Sequence, residues 1–222
     1  MMNGRTRIPL PQHPTGITGR AFGWLMEKIN ERAYREALNL LHPLQSERVL
    51  EIGYGTGRFV ELLLRACNSC YIAGVDPTST MVRVANSRRA IAANTDRLDL
   101  RCGDASALPW TNDSFDAIVA IHSFQFWSDP ARALDEIRRV LKTSGRIVLI
   151  LRDHAKRAPA WLPNPISRSG AEVKAAANLL VRHGFDVIEH STKSSPALVG
   201  YLHSTLGSGA QTSAMHRRDS NS

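Results

Sequence analysis

The sequence predicts an α/β domain built on a doubly wound, parallel sheet, preceded by a helical extension. Three observations carry that expectation. An apolar run, Val49-Leu50-Glu51-Ile52, ends in glycines at alternate positions (Gly53, Gly55, Gly57), and a helical pattern with Phe59, Leu62, Leu63 and Ala66 on one face follows at once. Later runs, Ala117 to Ile121 and Ile147 to Leu151, are apolar on successive residues, as strands covered by helices on both faces must be. Between such runs lie segments of helical period, and that alternation implies right-handed crossovers and parallel strands. A chain of 222 residues with 43% hydrophobic content suits one such domain with a substantial core.

Residues 1–16, with Pro9, Pro11 and Pro14, read as irregular. Over residues 17–41 the apolar positions Phe22, Leu25, Met26, Ile29, Ala33, Ala37 and Leu40 recur at threes and fours, and Pro43 marks the end of that helix. Residues 1–44 are therefore expected as a helical extension that packs on the sheet and serves as a lid, with Trp24 and Tyr34 as aromatic candidates for a substrate wall. The first strand and its helix occupy residues 48–66, and a second strand at 70–75 ends in Asp76. A helix over 81–93 and a third strand over 98–103 follow, with Asp104 and Ala105 at its carboxyl end.

The fourth strand, 115–121, ends in Ile121 and His122, where ligands bind in open α/β sheets. Asp129-Pro130 opens a helix with Ala133, Leu134, Ile137, Val140 and Leu141 on one face; Gly145 follows it, and the fifth strand is set at 147–151. Residues 153–169, with Pro159, Pro163 and Pro165, read as a loop over the sheet. A helix at 171–182, a strand at 185–189 and a short apolar stretch at 197–202 complete the main domain, residues 45–205. Residues 206–222 are rich in Ser, Gly and Thr and are expected to be a disordered tail.

The glycine spacing speaks to the ligand. A dinucleotide fingerprint counted from Gly53 and Gly55 needs glycine at position 58, where Arg58 stands, and no Gly-Lys-Ser/Thr follows for a phosphate loop. The pattern is E-x-G-x-G-x-G, led by Glu51. Glycines let a ligand lie against the main chain, and the helix start supplies free N–H donors. Asp76 falls close to the ~20-residue interval at which an acid meets ribose hydroxyls in nucleotide folds. A carboxylate accepts from both hydroxyls at once; the competing role is capping the next helix.

These residues closely resemble the class I S-adenosylmethionine-dependent methyltransferases, in the small-molecule branch sharing a "methyltransferase type 11" domain. The resemblance runs from Val49 to Arg152 through Val49–Gly57, Gly74-Val75-Asp76-Pro77, Gly103-Asp104-Ala105 with Leu108-Pro109, Phe115-Asp116, and Asp129-Pro130 leading to Arg139-Val140-Leu141-Lys142. It implies a Rossmann-like sheet of seven strands with the last antiparallel, and S-adenosyl-L-methionine as cofactor. By resemblance, Glu51, Gly53, Gly55 and Gly57 hold the methionine portion, Asp76 the ribose, Pro77 or Met81 flanks the adenine, and Asp104 with Ala105 meets its amino group. Ile121 and His122 would close the pocket beside the sulfonium. Two departures stand out: Thr143-Ser144 replaces the usual Pro-Gly, and Tyr54 is bulkier than the residue usual there.

The implied reaction is methyl transfer to a small-molecule acceptor by direct displacement, which needs chiefly alignment. Two alternatives are a nucleic-acid (RNA) methyltransferase and a non-catalytic cofactor-binding module. A net charge of +8 favours the first, but the basic residues are scattered, and the fourth strand ends in Ile-His-Ser-Phe instead of Asn/Asp-Pro-Pro-aromatic. Nucleic acid is therefore not the expected partner. His122 is the candidate for a base acting on the acceptor, with an unperturbed pKa of ~6.5. The eight histidines are dispersed, so no metal site is expected. Cys67 and Cys70 form a lone C-x-x-C between a helix and a strand and are expected as reduced thiols. No eighteen-residue apolar run suggests a membrane span, and without a signal-peptide core the cytoplasm is the expected location.

Overall fold

A computed structural model describes residues 17–152, 170–192 and 195–202, with side chains from residue 27 onward. The expected irregular N-terminus, the loop at 153–169, the tail at 206–222 and the Trp24 side chain lie outside the described residues.

Helix α1 (Ile17–Leu41) leads into β1 (Arg48–Ile52), α2 (Arg58–Ala66), β2 (Tyr71–Asp76), α3 (Ser79–Asn86), α4 (Arg89–Ala92), β3 (Leu98–Cys102) and β4 (Phe115–Ile121). Then come α5 (Pro130–Val140), β5 (Leu141–Ile150), α6 (Gly170–Arg182), β6 (Phe185–Ser191) and β7 (Pro196–Leu202). The seven strands form one sheet in the order β3-β2-β1-β4-β5-β7-β6. All pairings are parallel except those of β7, which runs antiparallel to both β5 and β6. The Rossmann-like sheet with an antiparallel last strand is thus the fold. The order reverses between β1 and β4, the place where such sheets open a crevice.

Alternation along each strand divides the core between two faces. Leu50, Ile52, Ile118, Ala120, Ile147 and Leu149 pack under α5 and α6, against Leu134, Ile137, Ala176 and Leu180. Val49, Ile72, Ala117, Val119, Val148 and Ile150 pack under α1 and α2, against Ala33, Ala37, Leu41, Phe59 and Leu63. Helix α1 is therefore a structural layer of the domain. Its end is fastened by Arg146, which donates from Nε to Leu41 O (2.8 Å) and from Nη1 and Nη2 to the Glu47 carboxylate (2.8 and 2.7 Å). No helix among the described residues is long and apolar enough to cross a membrane.

Three expectations change. The single helix at 81–93 is two, because Arg88 adopts an extended backbone that sends its guanidinium to the glycine loop instead of along a helix surface. Strand β5 begins at Leu141, not Ile147: Leu141 pairs with Phe115, the chain bulges through Ser144 (φ 67), and pairing resumes at Arg146. Cys67 and Cys70 are not reduced thiols but a disulfide, since the turn from α2 into β2 sets their Cα atoms 5.4 Å apart. Arg97 holds the same turn, donating from Nη1 to Cys67 O (2.8 Å) and from Nη2 to Leu64 O (3.2 Å). Cys102 is a free, exposed thiol.

Candidate functional site

The three glycines after β1 all have positive φ but answer to different neighbours. Gly53 (φ 79) donates its N–H to Val75 O (2.7 Å), and a Cβ on it would lie 2.5 Å from Ser123 Cβ. Ser123 Oγ in turn donates to Ile52 O (2.6 Å), joining the ends of β1 and β4. A Cβ on Gly57 (φ 79) would lie 2.7 Å from Ile91 Cδ1 and 3.0 Å from Ala85 Cβ, so this glycine admits α4 and α3 against the start of α2. Gly55 (φ 52) differs: a Cβ there meets nothing within 4 Å. Two of the glycines serve the fold, and the middle one faces open space.

Acids surround that space. Glu51 is 2% exposed, and its Oε2 is buried with no hydrogen-bond partner. Burial first, then the neighbouring Asp76 charge, raises its carboxyl well above the usual range. A buried acceptor left without a donor is uncommon and marks a place for one. Asp76 is also buried, and it accepts from Gly55 N at Oδ2 (3.0 Å) and from Thr78 N at Oδ1 (2.9 Å). It therefore ties the glycine loop to the turn before α3. Pro77 and Met81 lie on the connection after it, with Met81 N donating to Thr78 O (2.9 Å).

Asp104 stands at the end of β3, joined to the end of β2 by Gly103 N donating to Asp76 O (3.0 Å). Its Oδ1 accepts from Ser106 N (2.8 Å) and Ser106 Oγ (2.6 Å), which shapes the turn holding buried Ala105. Tyr54 turns its ring under the sheet, where a Cβ on Gly74 would come within 2.7 Å of Tyr54 Cδ1, and its hydroxyl donates to Arg101 O (3.3 Å). The bulky residue in the loop is thus accommodated by a glycine in β2.

Ile121, buried, ends β4, and His122 follows with φ 52, its N–H donating to Ile150 O (2.9 Å). The ring lies between Asn30 Oδ1 (3.2 Å from Nδ1) and Ser195 Oγ (3.3 Å from Nε2). Burial, then the Arg152 charge, pushes the imidazole down to about 3. The sequence suggested a ring poised near neutrality, and the fold makes it a firmly neutral one.

Asn30, Arg88, Arg152 and Ser195 gave no signal in the sequence, because their partners lie far along the chain. Arg88 donates to Thr56 O (2.5 Å) in the glycine loop and to Glu61 Oε2 (2.8 Å), and pairs with Glu27 of α1. Tyr34, foreseen as an aromatic candidate, stacks at a tilt on Phe59 (6.1 Å between centroids) and hydrogen-bonds to the Asn30 side chain. Burial, then Glu51, pushes its phenol up to about 12. The structure therefore gathers the glycine loop, Asp76, Asp104 and His122 at the carboxyl ends of four adjacent strands, with α1 alongside.

Comparison with known proteins gives the same picture. A methyltransferase-domain family model matches residues 50–149. The chain is 35% identical over 116 residues to the demethylmenaquinone methyltransferase of Thermotoga maritima, covering 52% of this chain and 48% of that protein. It is 33% identical over 156 residues to the enzyme of the same name from Clavibacter sepedonicus, covering 69% of this chain and 59% of that one. The chain thus spans about half the length of the curated relatives it matches. Among solved structures, a SAM-dependent methyltransferase from Aquifex aeolicus superposes with a TM-score of 0.66 at 16% identity, covering 79% of this chain and 97% of that one. That likeness speaks to the fold.

Proposed function

Because the chain belongs to the class I S-adenosylmethionine-dependent methyltransferases, we propose that it moves a methyl group from S-adenosyl-L-methionine to a small-molecule acceptor. The observation that carries the reading is the open space over Gly55 taken together with the unpartnered Glu51 Oε2, four residues earlier at the end of β1. The first admits a ligand against the main chain; the second lacks a donor of the kind an ammonium supplies. Asp76 adds a carboxylate hydrogen-bonded directly to the same loop, and Asp104 one at the end of β3. A small-molecule acceptor is supported by relatives that carry the name of one, demethylmenaquinone.

When bound, the cofactor would supply an electrophilic methyl on a positively charged sulfur, open to direct displacement by the acceptor. The chain's own task is placement. Gly53 to Gly57 would hold the methionine portion, Asp76 the ribose hydroxyls, Asp104 and Ala105 the adenine amino group, and Met81 or Pro77 the adenine face. Ile121 and His122 would border the methyl, with α1 alongside. Placement of this kind supplies up to ~7–11 kcal/mol in favourable cases.

His122 is a wall and not a base. With an imidazole near 3, taking a proton at neutral pH costs about 5 kcal/mol more than with a base matched to pH 7. His122→Asn should keep most of the maximal rate and His122→Ala lose less than ~10-fold, against the ~10²–10⁴ of a working base. The rate should show no ionisation from this residue between pH 5 and 8. A hundredfold loss in both variants, with an acid limb near pH 6.5, would restore the base.

Glu51 gives a second expected result. An acid raised in the fold costs stability wherever the unfolded chain would ionise it, so the cost is absent below ~4.3 and grows as pH rises. Glu51→Gln should raise the melting temperature of the ligand-free protein by about 2–4 °C at pH 7, by about 1 kcal/mol of relief, and by nothing near pH 4. The same variant should bind the cofactor at least ~10-fold more weakly. Melting curves at both pH values and calorimetric titration measure both effects; a stable variant with parent-like affinity would refute the assignment.

The function itself is tested by titrating S-adenosylmethionine and NADH in parallel, then following product mass with small-molecule extracts and with RNA. Tight NADH binding without S-adenosylmethionine binding refutes the reading. Methylated RNA alone replaces the acceptor class.

A further inference from the structure

The ends of β4, β5 and β7 meet the middle of α1 in a polar cluster that the cofactor's partners do not use. It comprises Asn30, Tyr34, His122, Arg152 and Ser195. Asn30 Oδ1 can only accept, so His122 carries its proton on Nδ1, and Nε2 accepts from Ser195 Oγ. Ser195 is fixed in turn by its N–H donating to Thr192 Oγ1 (3.0 Å). Every member but one is a neutral group. The exception is Arg152.

Arg152 is half-buried and donates from Nη2 to Asn30 Oδ1 (2.9 Å). Among the described residues it meets no carboxylate within ion-pair distance, and burial pushes its guanidinium below the ordinary value. Arg58, Arg88 and Arg146 each hold a glutamate, and Arg97 spreads its guanidinium over the Cys67, Cys70 and Leu64 carbonyls; Arg152 shows neither arrangement among the described residues. A half-buried cation that, among the described residues, sets one of its five N–H groups on a neutral oxygen calls for an anion, and the planar fork fits a carboxylate by two parallel bonds.

The position indicates whose carboxylate it is. The glycine loop and Asp76 follow β1 and β2, whereas Arg152 follows β5, with β4 between β5 and β1. Two strand spacings, about 9–10 Å, thus separate the two strand ends. Tyr34 joins the two sides: its ring packs on Phe59 of α2, and it hydrogen-bonds to Asn30, which accepts from Arg152.

We propose that Arg152 takes the carboxylate of the methyl acceptor, which is therefore a small carboxylate-bearing molecule. The inference rests on the methyltransferase reading above.

The test compares benzoate with benzamide, equal in shape and different in charge, on protein saturated with adenosylhomocysteine. By calorimetry benzoate should bind at millimolar strength and benzamide at least ~10-fold more weakly. Arg152→Gln should weaken benzoate at least ~10-fold and leave adenosylhomocysteine affinity within about twofold; Arg152→Lys, which keeps charge and fold but loses the fork, should weaken benzoate about 3–10-fold. Equal binding of the two probes, no benzoate binding up to about 50 mM, or unchanged benzoate affinity in the lysine variant overturns the proposal. So does a loss confined to adenosylhomocysteine affinity, which would give Arg152 to the cofactor's own carboxylate. Repeating the benzoate titration on ligand-free protein separates this result from the methyltransferase reading, which fails if the parent binds no adenosylhomocysteine.

Discussion

Gly55→Val should abolish cofactor binding, with at least a hundredfold loss of affinity (about 2.7 kcal/mol), while the protein stays folded. A Cβ at this position meets nothing within 4 Å, so the two methyls occupy only the space proposed for the ligand. The φ of 52 adds strain of about 1–2 kcal/mol, which a domain of this size survives with a lower melting temperature. Gly57→Val is the informative contrast. There the new side chain meets Ile91 Cδ1 at 2.7 Å and Ala85 Cβ at 3.0 Å, so the main loss should be in stability. Calorimetry and thermal melting of both variants measure the separation. If Gly55→Val binds S-adenosylmethionine like the parent, the open space over the loop is not the cofactor's.

Asp76→Ala should weaken cofactor affinity by about 1.5–3 kcal/mol, roughly 10- to 160-fold, the range for hydrogen bonds to a charged group. A second effect follows from the ligand-free structure. Asp76 accepts from both Gly55 N and Thr78 N, so its removal also strips two backbone donors of their acceptor. Each such loss costs about 1 kcal/mol, and the melting temperature should fall by about 2–4 °C for each. Asp76→Asn retains one carbonyl oxygen and should recover part of the stability and little of the affinity. Asp76→Glu should do less harm than alanine. An alanine variant that folds and binds like the parent would leave Asp76 a purely structural residue.

Of the two roles weighed for Asp76 in the sequence, the helix cap is not what the structure shows: Thr78 is the N-cap of α3, and Asp76 accepts from Thr78 N in the turn before it. The glycines divided in a way that spacing does not reveal. Gly53 and Gly57 are required by Ser123, Ile91 and Ala85, which stand 28 or more positions away, and Gly55 alone by what lies above the loop. His122 shows the limit of reasoning from a residue's ordinary chemistry. Its place at the end of β4 was legible, but its protonation depends on burial and on Arg152, which arrives from another strand.

The sequence by itself determined the alternation of strands and helices, the helix at 17–41, the glycine loop and the acids that follow the first three strands. Each of these rests on local period or on spacing within one βαβ unit, where covalent connectivity limits what neighbours can be. Only the tertiary structure decided the rest. The break at Arg88, the early entry of β5, the Cys67–Cys70 disulfide and the cluster of Asn30, His122, Arg152 and Ser195 depend on groups up to 122 positions apart. Which of them meet is set by sheet order and by the packing of α1, and burial then fixes their charge, because a group's ionisation follows the dielectric and charges around it and not its place in the chain.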